Sequence, residues 1–162
     1  MNPTILHLDL DTFFVSCERL IDSRLAYKPL LVGGTGDRGV VAACSYETRK
    51  FGVHSGMSMK IAKKLCPEAT VIRGNSGIYS KYSQQVTEII KESVPVFEKA
   101  SVDEFYADLS GMDAYYGSYK FASELRQRII KESGLPISFG MSKNKIVSKV
   151  ATGEAKPNNQ LY

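Results

Sequence analysis

The chain has 162 residues, 43% of them apolar and 23% charged, the balance of a soluble globular protein with enough apolar material for a core. Its 21 basic and 17 acidic residues leave a net charge of +4, which suits a phosphate-rich partner without demanding one. Cysteines at 17, 44 and 66 are odd in number and scattered, so no disulfide framework or zinc knuckle is expected and a reduced, cytoplasmic setting fits; Asp9 and Asp11 interrupt any secretion signal, and no apolar run is long enough to span a membrane.

In chain order, TILHLDL (4–10) reads as a buried strand and DTFFVSCERLI (11–21) as a helix capped by Asp11 or Thr12. PLLVGG (29–34) and GVVAACS (39–45) are short β runs around a glycine-rich turn. YETRKFG (46–52) reads as a helical turn closed by Gly52, SMKIAKKLCP (58–67) as a helix capped by Ser58 and stopped by Pro67, and TVIRG (70–74) as a strand. Tyr79, Tyr82, Val86, Ile89, Ile90 and Val94 recur at three- and four-residue steps, the mark of an amphipathic helix over 76–94. VFEKAS (96–101) and EFYADLS (104–110) look like paired strands, 118–133 like a second amphipathic helix ended by Gly134 and Pro136, ISFGMS (137–142) like a strand and KNKIVSKVA (143–151) like a last helix.

With 12–74 set aside, the remainder reads β, α, β, β, α, β plus one more helix. That is the split βαβ order of a ferredoxin-like α+β sheet with helices on one face. The inserted residues 12–74 form a small α/β subdomain. In that topology the first and third strands are antiparallel neighbours, so Asp9 and the pair Asp103–Glu104 meet at one edge of the sheet. Crowded carboxylates repel, and a divalent cation removes the conflict. All-oxygen ligands favour Mg²⁺, with Mn²⁺ an alternative, and two such ions carry out phosphoryl or nucleotidyl transfer. Solvated turn residues would account equally for Asp9 and Asp11 alone.

Basic residues favour a phosphorylated substrate. Tyr46 and Arg49 lie three apart on a helical turn and share a face; the guanidinium can grip a phosphate with two hydrogen bonds. Lys143, Lys145 and Lys149 follow the last strand, with Lys145 and Lys149 one turn apart. A solvated basic face would explain any one of these lysines by itself, and a core aromatic in helix 11–21 would explain Phe14.

The motifs HLDLDTFF, SYETRKFG, ASVDEF and FGMSKNKIVSKVA, in this order and at these spacings, resemble Y-family DNA polymerases of the DNA polymerase IV branch, from Ile5 to Asn158. The resemblance implies an error-prone translesion DNA polymerase acting in DNA repair. Its palm would comprise 1–11 and 75–162 and its fingers 12–74. Asp9, the Leu10 carbonyl, Asp103 and Glu104 would hold two Mg²⁺ ions. Phe14 resembles the steric gate that rejects a ribose 2′-hydroxyl, and the backbone of Phe13 would lie near the triphosphate. Tyr46, Arg49 and Lys149 would contact the triphosphate of the incoming dNTP. The implied partners are primer–template DNA, a dNTP and, through a C-terminal part outside this chain, a sliding clamp; a monomer without membrane association is implied.

Some positions depart from the family pattern. Ala43 stands where many relatives carry Ser or Thr, Gly153–Glu154 replaces the usual small residue and Asp, and Asn159 replaces the usual Gly. The family continues into thumb and little-finger domains, so the chain reads as a palm-and-fingers fragment, weakly active or inactive by itself. Two other readings compete. A haloacid-dehalogenase-type phosphatase would use Asp9 as nucleophile, but GTGDRG lacks that fold's second acid. A catalytically inert polymerase-like binding module is the other.

Overall fold

The computed structural model describes residues 3–112 and 117–161. The chain forms two compact units, Met1–Asp11 with Ser80–Tyr162, and Thr12–Tyr79.

The first unit is built on β1 (Ile5–Leu10), β5 (Phe97–Lys99), β6 (Glu104–Asp108), β7 (Ile137–Ser142) and β8 (Gln160–Leu161), in the order β5-β6-β1-β7-β8. β1 is antiparallel to both β6 and β7. Without its last strand this is the expected ferredoxin-like order; the short β8, parallel to β7, was not foreseen. The strand period of two sorts the side chains. Leu6, Leu8 and Leu10 with Phe105, Ala107, Ile137, Phe139 and Met141 form one buried face. Phe105 and Phe139 are fully buried, each contributing about 2–3 kcal/mol of transfer free energy. Tyr119 of α5 (Ser118–Ser133) meets Phe139 edge-on at 5.7 Å, which places α5 over this face. Helix α4 (Ser76–Ser93) is tied to α5 by Arg128 on Glu92 at 2.6 Å and by Gln85 donating to the Glu132 carbonyl at 3.0 Å.

The expectation of helices on one face holds for that pair. The last helix, α6 (Lys145–Ala155), covers the opposite face, and the reason is Gly140. A Cβ there would stand 2.3 Å from the Ser148 carbonyl oxygen and 2.4 Å from the Thr152 nitrogen, so only glycine admits the helix so near. Ser148 donates to the Ile5 carbonyl at 3.1 Å and the Thr152 hydroxyl lies 3.1 Å from that of His7, fixing α6 on β1. Asn144 caps α6 by accepting the Val147 N–H at 2.9 Å. The helix runs past the expected 151 to Ala155, where Pro157 and not the end of the apolar pattern stops it.

The second unit holds α1 (Phe13–Ile21), α2 (Tyr46–Arg49), α3 (Met59–Leu65) and a sheet β3-β2-β4 of Val41–Cys44, Leu30–Gly33 and Thr70–Ile72. Its core is Leu31, Val41, Cys44, Val53, Met59, Ala62 and Cys66. Ser58 caps α3 as expected, accepting the Ile61 N–H at 3.2 Å. A 3-10 turn at Ser23–Leu25 was not foreseen. Of the two residues expected to cap α1, Thr12 occupies the position, in a left-handed conformation with no side-chain cap bond, and Asp11 is engaged elsewhere. All three cysteines are free and buried.

Candidate metal-binding edge and phosphate-facing residues

The register of β1 on β6 sets Asp9 directly opposite Glu104, and the Leu10 N–H donates to the Asp103 carbonyl at 2.9 Å. Carboxylates remote in sequence therefore converge at one sheet edge. Asp9 and Glu104 remain partly open, with side-chain exposures of 24% and 15%. Ligand atoms of His7, Asp9 and Glu104 lie within 4.8 Å of one another. Asp103 is half-buried, accepts from the Ser101 hydroxyl at 2.8 Å, and is near enough for its charge to act on Asp9.

Three groups surround these acids, and two of them, His7 and Lys156, were missed in the sequence. His7 is fully buried; Nε2 meets Glu104 Oε1 at 2.9 Å and Nδ1 meets the Thr152 hydroxyl at 2.6 Å. A carboxylate only accepts, so the Nε2 hydrogen points at Glu104. Burial lowers the His7 pKa and outweighs the opposing pull of Glu104. His7 lies two residues before Asp9 on the same strand face, a signal the alternation carried. Lys156 stands 3.6 Å from Asp9 and 2.6 Å from Asp11. Asp11 is 1% exposed and also accepts from the Ser138 hydroxyl at 2.9 Å and from the Asn158 N–H. The anticipated Lys149 pairs with Glu104 at 3.0 Å. Of the other anticipated lysines, Lys145 pairs with Glu98 at 2.6 Å and Lys143 precedes the helix.

Burial, reinforced by the charges of Asp103, Glu104 and Asp11, pushes Asp9 up to about 7 against the opposing pull of Lys156. Burial alone would raise Glu104 too, but hydrogen bonds from Lys149 and His7 hold it below the usual carboxylate range. One acid made reluctant to ionise beside another held charged is what a shared cation relieves. The donors are carboxylate oxygens and the one nearby imidazole already bonds Glu104. The residues present thus fit a hard divalent ion such as Mg²⁺ or Mn²⁺.

In the second unit, Ser45 organises α2. It is fully buried, its hydroxyl accepts the Leu30 N–H at 3.0 Å, and its carbonyl accepts the Thr48 hydroxyl at 2.7 Å. The following turn brings the Arg49 guanidinium carbon to 4.8 Å above the Tyr46 ring, so the shared face expected from their spacing is present. Glu47 pairs with Arg19 at 2.9 Å. Phe13 is buried; Phe14 is half-buried and stacks on Tyr79, with ring centroids 4.4 Å apart and planes inclined by 22°. Ala43 is half-buried on β3.

Residues 8–153 match the sequence pattern of the impB/mucB/samB family. The chain belongs to that family. Family members elsewhere bear out the resemblance to Y-family DNA polymerases. DNA polymerase IV of Dehalococcoides mccartyi (strain CBDB1) is 45% identical over 158 residues, which is 96% of this chain and 40% of that protein. DNA polymerase IV of Treponema denticola is 43% identical over 152 residues, 93% of this chain and 38% of that protein. Among solved structures, an insertion ternary complex of Dbh DNA polymerase superposes with a TM-score of 0.92 at 27% identity, covering 98% of this chain and 48% of that one. DinB from Sulfolobus solfataricus superposes with a TM-score of 0.92 at 28% identity, with the same coverage of 98% and 48%. The chain therefore spans less than half the length of these relatives. No helix among the described residues is long and apolar enough to cross a membrane.

Proposed function

We propose that this chain is the palm (1–11 and 75–162) and fingers (12–74) of an error-prone, DNA-directed DNA polymerase of the translesion type. One observation carries the reading: Asp9 pairs across the sheet with Glu104 while the backbone of Asp103 bonds to Leu10. In the proposed reaction the primer 3′-hydroxyl oxygen attacks the α-phosphorus of a dNTP. The bond to the pyrophosphate oxygen breaks, and the hydroxyl proton leaves to solvent. Two Mg²⁺ ions, held by Asp9, the Leu10 carbonyl, Asp103 and Glu104, would make the primer hydroxyl more acidic and offset the charge of departing pyrophosphate.

The chain's own side chains do the rest. His7 steadies Glu104 and, with both nitrogens engaged, stays out of proton transfer. Lys149 and Lys156 supply positive charge beside the carboxylates, and Lys149 turns to the triphosphate of the nucleotide. Arg49, oriented over the Tyr46 ring, grips phosphate oxygens, and the phenol adds one hydrogen bond. The backbone at Phe13 borders the triphosphate, and the ring of Phe14 excludes a 2′-hydroxyl. Placement and charge suffice for such a transfer.

The parent protein would be a cytoplasmic monomer. It would take primer–template DNA and, through parts outside this chain, a sliding clamp; affinity for DNA comes largely from backbone contacts supplied across a whole polymerase. The test is Mg²⁺-dependent primer extension by the full-length protein. Asp103→Ala abolishes it if the reading is right; extension at the unsubstituted rate overturns the assignment.

A further inference from the structure

The pair formed by Phe14 and Tyr79 has a third member. Tyr79 Oη donates to Glu18 Oε1 at 2.9 Å. Glu18 lies four residues after Phe14 on α1, hence on the same side of the helix. The Tyr79 ring is thus laid along α1, stacked on Phe14 at one end and tethered at the other. It has little freedom to move away. Tyr79 is 6% exposed, and a Cβ added to Gly74 would already touch its Cε2 and Oη at 3.4 Å. Phe13 leans on both rings, at 5.7 Å from Phe14 and 6.3 Å from Tyr79. Burial, aided by the charge of Glu18, raises the Tyr79 pKa, so the phenol stays protonated and remains a donor. Phe14 is left with one face clamped against a fixed ring while the side chain stays half open.

We infer that Glu18 is a positioning residue for sugar selection: by anchoring the Tyr79 hydroxyl it locks the ring against which Phe14 stacks, and so holds Phe14 as a rigid wall against a ribose 2′-hydroxyl. The inference rests on the reading of Phe14 as the ring that faces the sugar. A ring that excludes one oxygen atom works only if it cannot swing. Stacking restrains tilt, and the remote hydrogen bond stops the partner ring from sliding. A hydrogen bond to a charged acceptor is strong enough for its loss to be felt about tenfold in a selection ratio.

The experiment measures kcat/KM for a dNTP and the matching rNTP with the full-length protein and single-nucleotide extension. Glu18→Ala and Tyr79→Phe each lower the dNTP/rNTP ratio, by about fivefold to tenfold. Glu18→Gln keeps an acceptor oxygen and restores the ratio to within about twofold, which loss of bulk stability would not predict. In a Phe14→Ala background Glu18→Ala adds nothing further, as expected of residues acting through one another. If Phe14→Ala collapses the ratio but Glu18→Ala and Tyr79→Phe leave it unchanged, the inference falls and the gate stands. If Phe14→Ala itself leaves the ratio unchanged, the reading of Phe14 fails and takes the inference with it.

Discussion

The two units of this chain handle charge in opposite ways. Thr12–Tyr79 has ten lysines and arginines against five acidic residues, whereas the remainder has eleven against twelve. In the first unit the decisive charges are held within a network. Asp11, His7, Ser138, Ser148, Thr152 and Arg126 are all buried, and among the described residues every buried side-chain polar atom has a partner. In the second unit the buried core is a small apolar cluster, and Arg38, Arg49, Lys50, Lys60 and Lys64 lie at the surface. Enclosed anions need fixed partners to be tolerated. Exposed cations cost little and adapt to a flexible polyphosphate. One unit therefore keeps its charges fixed by partners, and the other displays them at its surface.

That division can be tested at three levels. The largest effect is expected at Arg49. Arg49→Ala removes a charge-assisted contact and raises the KM for dNTP by about tenfold to a hundredfold with kcat much less changed. Steady-state kinetics on the full-length protein check it, and a loss confined to kcat would break the division of labour. Next comes packing. Gly140→Ala drives a methyl into the backbone of α6 and lowers stability by about 2–3 kcal/mol. Gly36→Ala meets nothing within 4 Å and shifts stability by less than about 0.5 kcal/mol. Denaturant melts of both variants measure the contrast.

The smallest effect concerns pH. Asp9 is raised to about 7 from an ordinary value of 3.8. Between those limits the folded chain keeps a proton that the unfolded chain has lost. Its contribution to stability is complete below the ordinary value and is lost as pH rises through about 7. Without divalent cations, Asp9→Asn therefore gains stability over the wild type above neutrality, each kcal/mol appearing as about 2–4 °C in Tm. Adding Mg²⁺ stabilises the wild type and not the variant. Thermal melts across pH, with and without Mg²⁺, decide it.

What could be read in the sequence was what periodicity and order encode. The alternation in TILHLDL and the split βαβ order were enough to bring Asp9 beside Asp103 and Glu104. The three-residue step from Tyr46 to Arg49 was enough to stack one on the other. Contacts made by residues outside the periodic elements were not legible. Lys156 reaches Asp11 across 145 residues through a segment with no periodic pattern. Of the two residues offered as the cap of α1, Thr12 holds the position, and Asp11 instead meets a half-buried ammonium and a buried hydroxyl that bind it more strongly. Tyr79 was correctly placed on an amphipathic helix, yet period alone could not say that its hydroxyl would be tied to Glu18.

The meeting of Asp11 with Lys156, Ser138 and the Asn158 amide has a practical consequence for anyone dissecting this molecule. The segment after α6 looks expendable, being rich in polar residues. It is the counterion and the amide donor for an anion laid down at the opposite terminus. Cutting the polypeptide before that point strands a negative charge in the interior, and a cut just past Asn158 still takes β8 out of the sheet.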